Sequence, residues 1–415
     1  MNSQLGAFVF SKIKKYILTF IIIFSVFFSD INICQAEELS LNAISAVLYD
    51  GDAGRVLYGK NENQIMPMAS TTKIMTLIIA LEYGNLDDVV TFSKYAAMQP
   101  DVQMNAQCGE QYYLKDLLHV MMMQSYNDVA VAVAEYVADT YLDKVQVSQK
   151  VSERKTEESK ERIKVFAGLM NDKAKELECY DTYFITPNGL DAEDENGIHS
   201  TTATDMAKIA SYAIKIQLIE EICTTRNYSF SELNGNRTVD VGTTNRFLDM
   251  LDGAVGMKTG FTNNAGYCYV GAVKKDGKLL ISVVLGCGWP PNKNYKWLDT
   301  KTLMNYGINN YFYQKIFVST DNYKKIPINN GVIEYVDTYI PFSLDMILTE
   351  GEKVEVIFNV REGLTAPINK NQEVGIVCIY IDNELFRSFS ILAQNEVKKK
   401  AFIWYFINIY EEMLF

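Results

Sequence analysis

The sequence predicts an α+β fold: an antiparallel sheet with a helical middle, followed by a small all-β domain. Three observations carry this reading. Apolar runs of strand length open and close the stretch from residue 43 to residue 288, with helical periodicity between them. Asp276-Gly277 joins two of the closing runs, the strongest short signal for a hairpin. Past about Tyr311 the pattern changes to short strands separated by Asn, Asp and Gly turns. When strands flank a run of helices in this way, the first and last strands are expected to share one sheet.

The elements follow in order. Lys12, Lys14 and Lys15 precede an apolar run, Tyr16 to Phe28, and Cys34-Gln35-Ala36 places small residues at a cleavage site. Residues 1–36 therefore read as a secretory signal peptide, too short in its apolar part for a membrane span. Ala43 to Tyr49 and Arg55 to Tyr58 form a hairpin around Asp50-Gly51-Asp52-Ala53-Gly54. A helix is expected from near Ser70, with Ile74, Leu77, Ile78 and Leu81 at helical spacing and Gly84 as its stop. Leu114, Leu117, Leu118 and Met121 mark a second helix ending near Ser125, and Val129 to Val137 a third. Asp143 to Lys164 is dense in mixed charge and reads as an exposed helix or mobile loop inserted into the domain. Helical spacing returns at Phe166 to Leu177 and again at Ala203 to Ile214. Strands then follow at Val255 to Gly260, Gly266 to Val273 and Leu279 to Leu285. The division expected is 37–310 for the first domain, 311–392 for a small β-sandwich-like domain, and 393–415 for a C-terminal helix. That helix has Lys398, Lys399 and Lys400 at its flank and Phe402, Phe406, Ile409 and Met413 on one face, a pattern suited to lying on an anionic membrane surface.

Composition narrows the function classes. Hydrophobic residues at 48% supply a core, and 8 Pro with 24 Gly exclude collagen-like architecture. The net charge is −12, and −14 once the three lysines and Asp30 of the leader are set aside. Such a surface repels phosphate backbones, so no nucleic-acid partner is expected. His119 and His199 are the two histidines, and both read as structural. The six cysteines after Cys34 show no C-x-x-C, so no metal and no cofactor are expected. They read chiefly as small buried residues; Cys268 and Cys287, in neighbouring predicted strands, are the pair placed to meet.

Chemistry is suggested by three short motifs in order. S-x-x-K occurs at Ser11, Ser70 and Ser152, but only Ser70-Thr71-Thr72-Lys73 sits where a loop enters an apolar helix. Residues three apart share a side of a helix, so Lys73 can reach the Ser70 hydroxyl. A serine is a weak nucleophile until a base takes its proton, and a lysine can act as that base if burial or a nearby cation lowers its pKa. Ser125-Tyr126-Asn127 falls between two predicted helices, and Lys258-Thr259-Gly260, the one K-T-G, lies at the end of a predicted strand. Singly these are weak; the ordered set S-x-x-K, S-x-N, K-T-G is specific.

These motifs, with Pro67-Met68-Ala69 before Ser70, Phe261-Thr262 and Ala265-Gly266-Tyr267 after the third motif, and Pro187-Asn188-Gly189-Leu190 between, resemble the low-molecular-mass penicillin-binding proteins, the serine-type D-alanyl-D-alanine carboxypeptidases. The resemblance covers roughly residues 43 to 288. It implies a β-lactamase/transpeptidase-like catalytic domain, a β-rich second domain and an amphipathic C-terminal anchor. It further implies a peptidoglycan stem peptide ending in D-Ala-D-Ala as substrate, β-lactam antibiotics as inhibitors, and a place outside the cytoplasmic membrane. Ser70 would be the nucleophile, Lys73 its general base and Ser125 a proton relay to the leaving D-alanine. Asn127, Lys258, Thr259, Gly260 and Phe261 would bind substrate, with the N–H groups of Ser70 and Phe261 as the oxyanion hole. The family often has His where this chain has Phe261, and Pro-His-Gly where it has Pro187-Asn188-Gly189. Two rival readings are a class A β-lactamase and a non-catalytic wall-binding protein. The first needs a glutamate in an E-x-x-L-N setting, yet Leu233-Asn234 has Phe230 at that place.

Overall fold

A computed structural model describes residues 39–142, 151–235, 237–320 and 323–414. The leader at 1–36, with Cys34, and positions 143–150 of the charged run lie outside the described residues.

The sheet that organises the first domain is built from β1 (Ser45–Asp50), β2 (Arg55–Lys60), β3 (Lys258–Thr262), β4 (Gly266–Lys275) and β5 (Lys278–Leu285), in the antiparallel order β2-β1-β5-β4-β3. The first and last strands thus meet, with Val47 opposite Val283 and Leu48 opposite Ser282. Asp276 and Gly277 turn β4 into β5 with φ of 51° and 75°, the left-handed pair that a two-residue hairpin requires. Every residue of β1 and β5 is buried, because both faces of the sheet are covered. Alternate side chains point to opposite faces. Val47, Tyr49, Ile281 and Val283 join the large core under the helices. Leu48 and Leu280 point the other way, against Gly307.

Helices α1 (Lys73–Tyr83), α2 (Leu114–Gln124), α3 (Asn127–Tyr141), α4 (Thr156–Glu176), α5 (Ala203–Ala213) and α6 (Gln217–Thr224) make the middle layer; α7 (Tyr295–Asn310) covers the sheet's second face. A hairpin of Asn227–Ser231 with Thr238–Gly242 lies beside α2. Ser70 itself sits one turn earlier than the α-helix, in a 3₁₀ turn, Ala69–Thr72.

Part of the charged run differs from its expected exposed character. Residues 156–164 are the opening turns of α4, and Ser159 is buried. Arg154 and Arg162 both pair with Asp139 of α3, and Arg154 approaches buried Glu135 at 3.8 Å. The mixed charge is therefore spent partly on docking α4 against α3. His119 stacks on Tyr228 at 4.1 Å. All six described cysteines, Cys268 and Cys287 included, are free.

The second domain packs two sheets together. One has five strands in the order Lys325–Pro327, Tyr335–Tyr339, Glu384–Ala393, Glu373–Ile381, Val354–Val360; the other pairs Phe312–Phe317 with Leu344–Leu348. Its last segment runs past residue 392. Val397 is buried and bridges Ile368, and Lys399 bridges Gly331. Residues 393–400 thus close this domain, and the terminal helix α8 spans Phe402–Leu414. The domain docks on the β1–β2 hairpin: Arg55 binds Glu352 at 2.6 Å and Arg387 donates to the Ala53 carbonyl at 2.8 Å.

Candidate active site

Four separate stretches converge on the start of α1. Lys73 is fully buried, and its Nζ lies 3.0 Å from Ser70 Oγ, 2.8 Å from Asn127 Oδ1 and 2.5 Å from the Asn188 carbonyl. Among the described residues, no carboxylate touches it. Burial, and then the positive charge of Lys258, hold its pKa well below the ordinary lysine value, with Asp128 opposing from further away. Two of the three partners are fixed acceptors. When the amine is neutral its two N–H bonds are directed to Asn127 Oδ1 and Asn188 O, which leaves the lone pair facing Ser70 Oγ.

Asn127 is aimed by its surroundings. Its Nδ2 donates to the carbonyls of Pro100 and Asp101, each at 3.0 Å, so Oδ1 has to face Lys73. The loop carrying those carbonyls is held in turn by buried Asp128, which accepts the N–H groups of Met104 and Ala106. Ser125 caps α2 in the left-handed region (φ 69°), half-buried and two residues from Asn127. Its hydroxyl makes no hydrogen bond among the described residues.

The third motif forms β3, an edge strand that pairs only with β4. A Cβ on Gly260 would come to 3.0 Å from both Ala69 Cβ and Ser70 N, so a side chain here would press on the serine turn and glycine lets the strand lie close against it. Lys258 is buried, and its Nζ donates to the Thr259 carbonyl at 3.0 Å. Burial lowers its pKa to about 7. Thr259 is half-buried on the same strand. Phe261 is exposed and packs on Tyr267 with ring centroids 4.7 Å apart. Thr262 Oγ1 donates to Asp191 at 2.9 Å, which ties β3 to the loop after Gly189.

This arrangement is a buried amine poised at a serine hydroxyl, with a second cation on the neighbouring strand. The family model for D-alanyl-D-alanine carboxypeptidases, peptidase S11, matches residues 32–153 and 161–288, more than half of the chain. The chain belongs to that family. It is a serine peptidase that acts on D-alanyl-D-alanine termini, of the penicillin-binding type. A second model, the C-terminal domain of penicillin-binding protein 5, matches residues 311–399. The carboxypeptidase DacF of Bacillus subtilis is 29% identical over 377 residues, 89% of each chain. Penicillin-binding protein 5 of Haemophilus influenzae has the same fold, with a TM-score of 0.70 at 24% identity over 88% of this chain and all of its own. Penicillin-binding protein D2 of Listeria monocytogenes, solved in a cefotaxime-bound form, has a TM-score of 0.52 at 26% identity over 66% of this chain and 99% of its own.

Several residues of the carboxypeptidase's site lie outside the three catalytic motifs. Asn188 contributes a backbone carbonyl, which any residue could supply. Gly189, with φ 84°, lies directly against the Ala69–Ser70 peptide. Buried His199 touches Thr72 of the serine turn. The lactamase requirement goes unmet where the sequence placed it: Phe230 is buried against Tyr112. The nearby Glu232 is occupied by the N–H groups of Gln111 and Asn234.

Proposed function

We propose that Ser70 attacks the carbonyl between the last two D-alanines of a peptidoglycan stem peptide, with Lys73 as its general base. The contact of 3.0 Å between a carboxylate-free, buried amine and the serine hydroxyl carries this reading. Neutral Lys73 takes the Oγ proton as Oγ bonds to the carbonyl carbon. The N–H groups of Ser70 and Phe261 receive the oxyanion; the first turn of a helix leaves its N–H groups unpaired. Ser125 passes a proton to the departing D-alanine nitrogen, and Asn127 orients the stem-peptide backbone. Lys258 and Thr259 bind the terminal carboxylate. Water then hydrolyses the ester to Ser70. A β-lactam forms the same ester and leaves slowly, a reading supported by the cefotaxime-bound relative.

Benzylpenicillin tests this directly. Intact-mass measurement should show one penicilloyl adduct on the wild type and none on Ser70→Ala. An adduct on the alanine variant would remove Ser70 from the mechanism.

The two lysines set opposite limbs of the pH profile. Acylation needs Lys73 neutral, so kcat/KM rises as that proton leaves. Binding the substrate carboxylate needs Lys258 charged, so kcat/KM falls as pH climbs through about 7. A bound carboxylate favours the ammonium form, so the limb in kcat lies higher. Lys258→Arg retains its charge and should carry the alkaline limb above about pH 9 while leaving the acid limb in place. An unmoved alkaline limb would assign it to another group.

The leader-like residues 1–36 and the wall substrate support a place for the enzyme outside the cytoplasmic membrane, with α8 resting on the membrane surface. No helix among the described residues is long and apolar enough to cross a membrane. Phe402, Phe406, Ile409 and Met413 of α8 are all exposed, and Lys400 sits over the Trp404 ring at 4.3 Å. Because Val332 and Asn330 pair with the backbone of Lys398 and Lys400, the clean truncation removes 401–415. That variant should stay in the supernatant with phosphatidylglycerol vesicles, whereas the full chain pellets, and both should take penicillin equally. Equal pelleting would exclude α8 as the anchor.

A further inference from the structure

Beyond the groups that touch substrate, a buried relay runs from the bend at residue 185 to the peptide bond that precedes the nucleophile. Ile185 N–H donates to His199 Nδ1 at 3.0 Å, with Thr186 N–H at 3.5 Å. An Nδ1 that accepts leaves the ring proton on Nε2. Nε2 lies 2.8 Å from Thr72 Oγ1, and Thr72 Oγ1 donates to the Ala69 carbonyl at 2.8 Å. Each member has one direction available to it: N–H to imidazole, imidazole to hydroxyl, hydroxyl to carbonyl. His199 and Thr72 are almost completely buried, so no bulk water competes for these bonds.

The end of the relay matters because of what shares its plane. Ala69 C=O and Ser70 N–H belong to one trans peptide unit and point in opposite directions. Ala69 is held at φ 48°, a region that alanine seldom adopts, so the turn needs outside restraint to keep this peptide in place. Thr72 holds the carbonyl, so the amide of the same peptide plane faces away from Thr72; Ser70 N itself lies beside β3, where a Cβ on Gly260 would meet it at 3.0 Å. We propose that His199 and Thr72 are positioning residues that aim the Ser70 N–H as an oxyanion donor. The inference rests on the acyl-enzyme reading above.

Burial, and then the charge of Lys73 while that amine is protonated, hold the His199 pKa down at about 4; once Lys73 is neutral, burial still disfavours the imidazolium, and the ring is neutral as the relay requires. A histidine serving only to fill space would need none of this polarity.

The test is a double-mutant cycle on the full chain. Thr72→Val preserves shape and removes the hydroxyl; His199→Leu removes the far link. For Thr72→Val, the acylation rate constant with benzylpenicillin and kcat for D-alanine release from a diacetyl-lysyl-D-Ala-D-Ala peptide should fall about 10- to 100-fold, with KM within about twofold. Thr72→Ser should restore both to within about threefold. The double variant should lose no more than the worse single one, because both cut the same chain. A Thr72→Val enzyme with wild-type kcat overturns the proposal, as does a double variant whose loss is the product of the two single losses. Should His199→Leu misfold, the Val and Ser pair at Thr72 decides alone. Absence of any adduct on the wild type would overturn the acyl-enzyme reading and the relay with it, whereas a normal wild type beside an unimpaired Thr72→Val overturns the relay alone.

Discussion

Lys73→Ala will cut D-alanine release by roughly 10²- to 10⁴-fold, the range that a positioned general base contributes. The loss should fall on kcat and on penicillin acylation together, since Lys73 Nζ touches the Ser70 hydroxyl, the group proposed to attack, and Lys258 and Thr259 are the groups proposed to hold the substrate carboxylate. Its three contacts are all to neutral acceptors, so the variant strands no opposite charge in the core. It leaves a hole lined by Asn127 Oδ1 and the Asn188 carbonyl, a polar site that water can occupy. Lys73→Arg sharpens the experiment: it restores the cation, but a guanidinium cannot surrender its proton, so release should not return. Single-turnover measurement of D-alanine from a stem-peptide analogue reads both variants. Activity recovered by arginine would mean that charge, not basicity, is what residue 73 supplies.

Gly189→Ala should be the most damaging single methyl in the enzyme. The added carbon would stand 2.0 Å from the Ala69 carbonyl oxygen and 2.9 Å from Ser70 N, on a backbone with φ 84°. The left-handed conformation alone costs about 1–3 kcal/mol for a residue with a side chain. The clash adds to that, and it can be relieved only by moving the nucleophile turn. A displacement of about 1 Å at a reacting group costs about 100-fold in rate. We therefore expect a lowered Tm and acylation reduced about 100-fold or more. Gly363→Ala isolates the backbone part, since Gly363 has φ 70° and open space at its Cβ position. That control should lose some stability and keep its rate. A Gly189→Ala enzyme acylating at the wild-type rate would show that the turn can yield without consequence.

Where local chemistry dictates geometry, the sequence was legible. Asp276-Gly277 announces its own hairpin, and strands on either side of a helical middle announce the pairing of β1 with β5. The S-x-x-K spacing puts amine and hydroxyl on one side of a turn whatever the rest of the chain does. Other parts were hidden for physical reasons. The third acceptor at Lys73 is a main-chain oxygen, so no side chain at residue 188 encodes it. The partnership of Thr72 with His199 spans 127 positions and depends wholly on tertiary folding. Helix α7 was missed because its pattern is irregular. Lys296 and Asp299 are buried among apolar residues, and Asp299 is needed there to receive Ala43 N–H at 2.7 Å. The charged run near residue 155 looked fully solvated because opposite charges that pair within a protein and those that face water have the same composition.

The strand order β2-β1-β5-β4-β3 sets the working strand β3 on one rim of the sheet and β2, with the hairpin gripped by Arg387 and Glu352, on the other. Three strands lie between the two rims, so the strand that the second domain grips and the strand that carries the third motif are not paired directly. A change in the second domain's grip on the hairpin therefore meets β2 first and reaches β3 only across β1, β5 and β4.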